Sequence, residues 1–375
     1  MVGLDVNIYD LVGTLGIGKQ QLVEIAKALS QNVKLLILDE PTAALNDDDS
    51  ENLLKLLKEL KKEGITSIMI SHKLKEVEAI ADSITVIRDG KVVSRMKKEE
   101  ITEQAIIKHM VGREINDIYP KRAEYKGGEV VFETIHFNAF DKNKNRYVIT
   151  DSNIKLHKGE VVGVVGLMGA GRTELAHSIF GNTPNYRLTG GILLHGKKVN
   201  LNSTKKAIDH GIAYVSEDRK RNGLILSETI AENITIADLN KISKNGILNY
   251  SNQAAVAHRY VKELNVRTPS INQKVNNLSG GNQQKVQIGK WLFSNPNILI
   301  LDEPTRGIDV GAKFEIYTLI NSLIEQGMSI LLISSELPEV LGMSDRIYVI
   351  AEGAQTGEFD IKDATAEKIM EKATL

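Results

Sequence analysis

An apolar run, Ile298-Leu299-Ile300-Leu301, ends in two carboxylates, Asp302 and Glu303, and is followed by Pro304-Thr305. Paired carboxylates at the end of a buried strand are costly unless metal, water or hydrogen-bond donors meet them. The chemistry this predicts is metal-assisted hydrolysis, with Asp302 in a Mg²⁺ shell and Glu303 polarising the attacking water. A merely solvated pair is the plain alternative. The same wording stands earlier as Leu35-Leu36-Ile37-Leu38-Asp39-Glu40-Pro41-Thr42, which makes Asp39 and Glu40 the counterparts of Asp302 and Glu303. Leu278-Ser279-Gly280-Gly281-Asn282-Gln283-Gln284 likewise answers Leu15-Gly16-Ile17-Gly18-Lys19-Gln20-Gln21, and 278 − 15 and 302 − 39 both give 263.

A third group is Gly166-Leu167-Met168-Gly169-Ala170-Gly171-Arg172-Thr173, with Glu174 next, placed after the apolar run Val161 to Val165 and before a helical pattern. Glycines there let backbone N–H groups approach phosphate oxygens, and a helix N-terminus adds a favourable dipole. Thr173 is placed to ligate Mg²⁺, and Arg172 stands where the phosphate-loop pattern has lysine. The alternatives are an ordinary glycine-rich turn and a dinucleotide fingerprint, which fits less well. Ser279, with Gly280 and Gly281, can N-cap a helix through Trp291 and aim its amides at an anion. Its counterpart is Gly16, so the hydroxyl is lost in the first copy. His72 lies 33 residues after Asp39 (72 − 39) and reads either as a structural histidine or as a γ-phosphate contact; Ser335 holds the same place after Asp302 (335 − 302).

These groups need elements to hold them. Helical spacing at Leu22, Ile25, Ala26 and Leu29 feeds the strand Val33 to Leu38, and a helix from Asp47 to Glu63 precedes the strand Ile65 to Ile70. Such alternation predicts an α/β fold with a parallel sheet covered on both faces, its ligands at the C-terminal strand edges. A hairpin is expected around Asp89-Gly90, a helix near Thr102 to Met110, and a mostly helical, polar insertion at about 226–290. The repeat stays in register from Gly64 with Gly327, through Ser71 with Ser334, Val77 with Val340 and Asp82 with Asp345, to Thr102 with Thr365. Projecting Gly166 back by 263 falls before Met1, so the first copy is expected to lack its opening half and its phosphate loop. The domains expected are 1–122, the C-terminal part of a first unit; 123–128, a linker; and 129–375, a complete second unit.

Composition narrows the class. A formal charge of −1 gives no bulk reason to expect nucleic acid, and 42% apolar residues are ample for packed cores. The absence of cysteine excludes disulfides, thiolate zinc sites and cysteine nucleophiles. No run approaches the ~20 apolar residues needed to span a bilayer, so a soluble cytoplasmic chain is expected, with any membrane role reached through a partner.

Together these residues resemble the nucleotide-binding domains of ATP-binding cassette (ABC) transporters. The stretches Gly166 to Thr173, Ser216-Glu217-Asp218-Arg219-Lys220-Arg221, Leu278 to Lys285 and Glu303 to Lys313 are similar to the second domain of duplicated ATPase subunits from bacterial monosaccharide importers, closest in wording to xylose or multiple-sugar members. The resemblance implies P-loop NTPase domains in tandem and ATP with Mg²⁺ as cofactors. The implied partners are membrane permease subunits and a sugar-binding protein, with the chain peripheral at the cytoplasmic membrane face. It implies a pseudo-dimer of two domains with unequal sites. One joins Gly166 to Glu174, Asp302, Glu303 and Ser335 with the signature Leu15 to Gln21. The other joins Asp39, Glu40 and His72 with the signature containing Ser279, Gly280, Gly281 and Gln283. Glu217 stands where related domains place the Q-loop glutamine and is counted with the metal site. Glu303, Glu40 and His72 are the expected catalytic groups, and this chain alone is expected to hydrolyse ATP weakly or not at all. A non-hydrolysing remnant and a soluble ABC ATPase of translation or DNA repair are the competing readings; DNA upstream of Met1 and salt-sensitive nucleic-acid binding would separate them.

Overall fold

The computed structural model describes all residues except 1–3, 5, 32, 43–44, 46, 72, 89 and 112–117. The chain divides into two compact units, Met1–Asn116 and Asp117–Leu375. Tyr119, Pro120 and Arg122, which the sequence reading sets ahead of the linker, lie with the second unit. There Tyr119 stacks on Tyr317 at 5.2 Å between ring centres, Pro120 O accepts from Asn321 Nδ2, and Arg122 pairs with Asp345 at 2.6 Å.

In the first unit, α1 (Ile17–Leu29) feeds β1 (Leu35–Asp39), and α2 (Asp47–Lys62) feeds β2 (Thr66–Ile70), which lies parallel to β1. α3 (Leu74–Ile80), the antiparallel hairpin β3 (Ser83–Arg88) and β4 (Lys91–Lys97), and α4 (Glu103–Val111) complete it. Leucines repeating at helical spacing on α2 (Leu53, Leu56, Leu57 and Leu60) are buried with Leu36 and Leu38 of β1. The alternate residues of the strands face outward: Leu35, Ile37, Ile68 and Ile70 are each about half exposed or more.

The second unit opens with β5 (Val130–Asp141), β6 (Arg146–Ser152) and β7 (Lys155–His157), none of which the repeat marks. β8 (Val161–Val165) leads through the glycine-rich loop into α5 (Arg172–Ile179). β9 (Arg187–Leu194), β10 (Lys197–Val199), α6 (Thr204–Asp209) and β11 (Ile212–Val215) follow. The insertion holds α7 (Ile230–Thr235), a small hairpin of β12 (Ser243–Lys244) and β13 (Ile247–Leu248), and α8 (Tyr250–Glu263). It is less polar than its sequence suggests, because Ile230, Ile234, Tyr260, Leu264 and Val275 form a core of their own. Then come α9 (Gly280–Phe293), β14 (Ile298–Asp302), α10 (Val310–Glu325), β15 (Ser329–Ile333), α11 (Leu337–Met343), β16 (Arg346–Ala351), β17 (Ala354–Asp360) and α12 (Ala366–Ala373).

Among the described residues β16, β8, β15, β14 and β11 run parallel and form one end of an 11-stranded sheet, β11 at its edge, with antiparallel strands on the β17 side. Period-two alternation splits its core into two layers. Val162, Val164, Ile300 and Leu331 pack with Leu175 and Ile179 of α5 on one face, and Val161, Leu299, Leu301 and Leu332 pack with Ile316 and Ile320 of α10 on the other.

The duplication read from the sequence is also structural. Adding 263 to the bounds of α2, β1, β2, α3, β3 and β4 gives those of α10, β14, β15, α11, β16 and β17, and both hairpins shift register at the matching step, Val86/Ile87 and Val349/Ile350. The half-exposed Ile37 corresponds to Ile300, which is 1% exposed beneath α5. Among the described residues of the first unit, none forms a counterpart of that covering layer.

Candidate functional site

The loop after β8 is shaped by close approach and by torsion. A Cβ on Gly166 would lie 2.2 Å from Ile350 O, and Gly171, the residue before α5, has φ +104° with a Cβ position 2.7 Å from Val148 O. Ala170 O accepts from Gly353 N at 2.8 Å, so the turn between β16 and β17 holds the loop from outside. Leu167 and Met168 form its exposed rim, Met168 being 91% exposed. Glu174 sits in the first turn of α5, 3.8 Å from Lys144 Nζ.

Asp302 is fully buried, accepting from Tyr214 Oη at 2.8 Å and, at the long distance of 3.5 Å, from Thr173 Oγ1. Desolvation raises its carboxyl to about 6, against the opposing hydrogen bonds. Glu303 turns its backbone into the left-handed region, φ +49°, and donates its N–H to Ile333 O at 2.8 Å. Its Oε1 lies 3.2 Å from Arg172 Nη1, and its Oε2 accepts from Ser335 Oγ at 3.0 Å. Arg172, Thr173, Asp302, Glu303 and Ser335, proposed from separate parts of the sequence, thus converge at one sheet edge.

The first unit repeats the carboxylate turn. Glu40 has φ +46°, and its N–H donates to Ile70 O at 2.8 Å. Asp39 ends β1 in the same register as Asp302 ends β14. His72 lies outside the described residues.

The signature residues depart from expectation in two respects. Ser279 occupies the N-cap position of α9, but its hydroxyl accepts from Asn282 Nδ2 at 2.9 Å and caps nothing. Gln283 is buried, not turned to a ligand: its Nε2 donates to Val275 O and Leu278 O, and its Oε1 accepts from Arg219 Nε at 3.4 Å. Gly281 allows α9 to meet α10, since a Cβ there would lie 2.6 Å from that of Ala312, while one on Gly280 would lie 2.9 Å from Arg219 Nη2. Glu217 pairs with Arg306. Arg219 donates to Arg306 O and Gly307 O, tying this loop to the turn after Glu303 and to the start of α9. Arg219 and Tyr214 were missed as site-building residues; Tyr214 had no motif to mark it, whereas Arg219 lay inside a quoted stretch.

The donor set fits a phosphate chain with a hard cation. Arg172 Nη1 is buried and, despite its nearness to Glu303, has no hydrogen-bond partner among the described residues, leaving N–H groups to meet an anion at the start of α5. The described residues hold no cluster of three or more His, Cys, Asp or Glu suited to a metal. Magnesium commonly uses only one or two protein oxygens beside phosphate, which Thr173 and Asp302 would supply. Because Asp302 must be ionised to serve, magnesium-dependent nucleotide affinity is expected to fall about fivefold from pH 6 to pH 5, a step readable by titration with and without EDTA.

A glycine-cradled loop at the end of a central parallel strand, with a Thr and an Asp-Glu pair at the same edge, defines an α/β P-loop nucleotide-binding protein. The family described as ABC transporter matches residues 2–43 and 149–306, and the chain belongs to it. The chain is 55% identical to an L-arabinose transport ATP-binding protein of Geobacillus stearothermophilus, covering 100% of this chain and 73% of that protein. It is also 55% identical to a xylose import ATP-binding protein of Thermoanaerobacter pseudethanolicus (99% and 73%) and 46% identical to a ribose import ATP-binding protein of Caldanaerobacter subterraneus (99% and 73%). A nucleotide-free ATP-binding cassette of an ABC transporter shares the fold at a TM-score of 0.54 and 20% identity, covering 66% of this chain and 96% of that one. The ADP conformation of an ATP-binding cassette of an ABC transporter gives 0.55 and 21%, covering 65% and 98%.

Proposed function

We propose that this chain is the ATP-binding, energy-coupling subunit of an importer for simple sugars, ATP binding and hydrolysis driving monosaccharide uptake. The observation that carries this reading is the end-to-end similarity to sugar-import ATP-binding proteins, at 55% identity for the arabinose and xylose relatives. Pentoses are therefore the first substrates to test. No helix among the described residues is long and apolar enough to cross a membrane, in keeping with a peripheral subunit at the cytoplasmic face that couples to separate permease subunits. The sugar would meet the permease and a sugar-binding protein, not this chain.

ATP with Mg²⁺ would be held by Gly166 to Thr173 and Asp302. Arg172 keeps a cationic grip but offers a planar fork in place of a point charge, so the second unit's site binds ATP and hydrolyses it poorly. Asp39, Glu40 and His72 belong to the better hydrolytic set, which also needs a phosphate loop of its own. The test is uptake of labelled xylose and arabinose by cells whose own pentose importers are deleted and which carry the complete importer. Uptake that depends on this subunit and is lost with Asp302→Ala supports the reading; unchanged uptake without the subunit rejects it.

A further inference from the structure

The carboxylate turn is followed in both units by a threonine whose hydroxyl is committed to a glutamate 34 residues further on. Thr305 Oγ1 donates to Glu339 Oε1 at 2.7 Å, and Thr42 Oγ1 donates to Glu76 Oε2 at 2.6 Å. Neither glutamate belongs to a motif quoted above. Thr305 and Glu339 are 1% and 0% exposed, and Glu339 Oε2 has no hydrogen-bond partner among the described residues. A buried carboxyl with one oxygen unmet is costly at Glu339, and the recurrence of the threonine–glutamate pair in both units points to a reason beyond packing.

The reason lies two residues before each threonine. Glu303 and Glu40 sit at φ +49° and +46°, a conformation that non-glycine residues hold only where their surroundings over-determine it. One restraint is the N–H of each glutamate on the neighbouring strand. The other is the threonine, anchored to the first turn of α3 or α11. We propose that Glu339 is a positioning residue for Glu303, and Glu76 for Glu40: each grips the threonine hydroxyl and so locks the left-handed turn that presents the water-polarising carboxylate. This rests on the ATPase reading for what Glu303 and Glu40 do, but not for the brace itself.

The two braces differ in their neighbours. Glu76 Oε1 lies 3.2 Å from Lys73 Nζ, whereas position 336, which corresponds to 73, is a glutamate whose carboxylate meets Lys313. Burial accordingly holds the Glu339 carboxyl above the usual carboxylate range. Glutamine keeps the accepting side-chain oxygen and the shape of Glu339, so it can replace it in this role.

The test is amide hydrogen exchange on the purified chain. Thr305→Val removes the donor at nearly constant shape, and Glu339→Leu removes the acceptor. Both should speed exchange at Glu303 and Arg306 by about tenfold or more, the worth of one hydrogen bond to a buried carboxyl, while amides inside β14 stay unchanged. Thr305→Ser and Glu339→Gln should remain within about threefold of wild type. In the assembled importer, Thr42→Val should lower kcat about tenfold with KM for ATP within about twofold, and Thr42→Ser should restore it. Unaltered exchange in Thr305→Val, or an equal rise throughout the second unit, overturns the brace. A localised rise in Thr305→Val, together with a wild-type importer that shows no ATPase activity, leaves the brace standing and rejects the ATPase reading instead.

Discussion

Glu40→Gln is expected to lower ATP turnover of the assembled importer by about 10²–10⁴, the usual consequence of losing a catalytic acid–base group. Glu303→Gln is expected to change it by less than about threefold, since the site around Glu303 contributes little to the total. Backbone pose does not separate the two glutamates, which share a left-handed φ and the same N–H bond to the neighbouring strand. Their surroundings separate them. Glu303 has Arg172 on one oxygen and the Ser335 hydroxyl on the other. Both Glu303 oxygens are thus engaged by protein groups, and serine offers no imidazole to the phosphate end. Glu40 belongs with His72 in the sequence, 32 residues on (72 − 40), just as Ser335 follows Glu303 (335 − 303). Phosphate release by the importer reconstituted with its permease and sugar-binding protein reads the difference. Turnover abolished by Glu303→Gln and spared by Glu40→Gln would reverse the assignment.

Much of this was legible because the chain states it twice. One motif fixes a type of chemistry, but two copies at a constant offset fix register, and register locates the strand ends, the hairpins and the paired carboxylates from the sequence alone. The duplication could not reveal what lies outside it. β5, β6 and β9 fall in the part of the second unit with no repeat partner, and their antiparallel pairing depends on neighbours distant in sequence. The inward turn of Gln283 was hidden for a different reason. A polar residue in a ligand motif reads as a ligand contact, yet here its amide satisfies backbone carbonyls left open by the approach to α9. The first unit shows the same use, with Gln20 Nε2 donating to Leu15 O at 2.7 Å. Ser279 was misread because a serine before a helix is the usual cap; its neighbour Asn282 offers the hydroxyl a competing partner.

Gly171→Val carries the largest expected effect on the second unit itself. At φ +104° a β-branched residue is strained, and its Cβ would stand 2.7 Å from Val148 O and 3.3 Å from Gly353 Cα. Neither neighbour can yield alone. Gly353 holds the loop through its N–H to Ala170 O and holds β6 through its carbonyl, which accepts from Thr150 N. Torsional strain and overpacking are each worth roughly 1–3 kcal/mol, so a loss of about 3 kcal/mol is expected. For a unit of this size that lowers Tm by roughly 6–12 °C. Nucleotide affinity should fall by more than about 100-fold, because shifting the loop misaims the amides and the N-terminus of α5 together. Met168→Ala is the control: it lies in the same loop but is 91% exposed, so its stability should stay within about 0.5 kcal/mol of wild type. Thermal unfolding and titration with a fluorescent ATP analogue on both variants measure the contrast. A Gly171→Val protein with unchanged Tm and affinity would mean that the loop does not depend on this contact with Val148 and Gly353, and the cradle read from the geometry would fail with it.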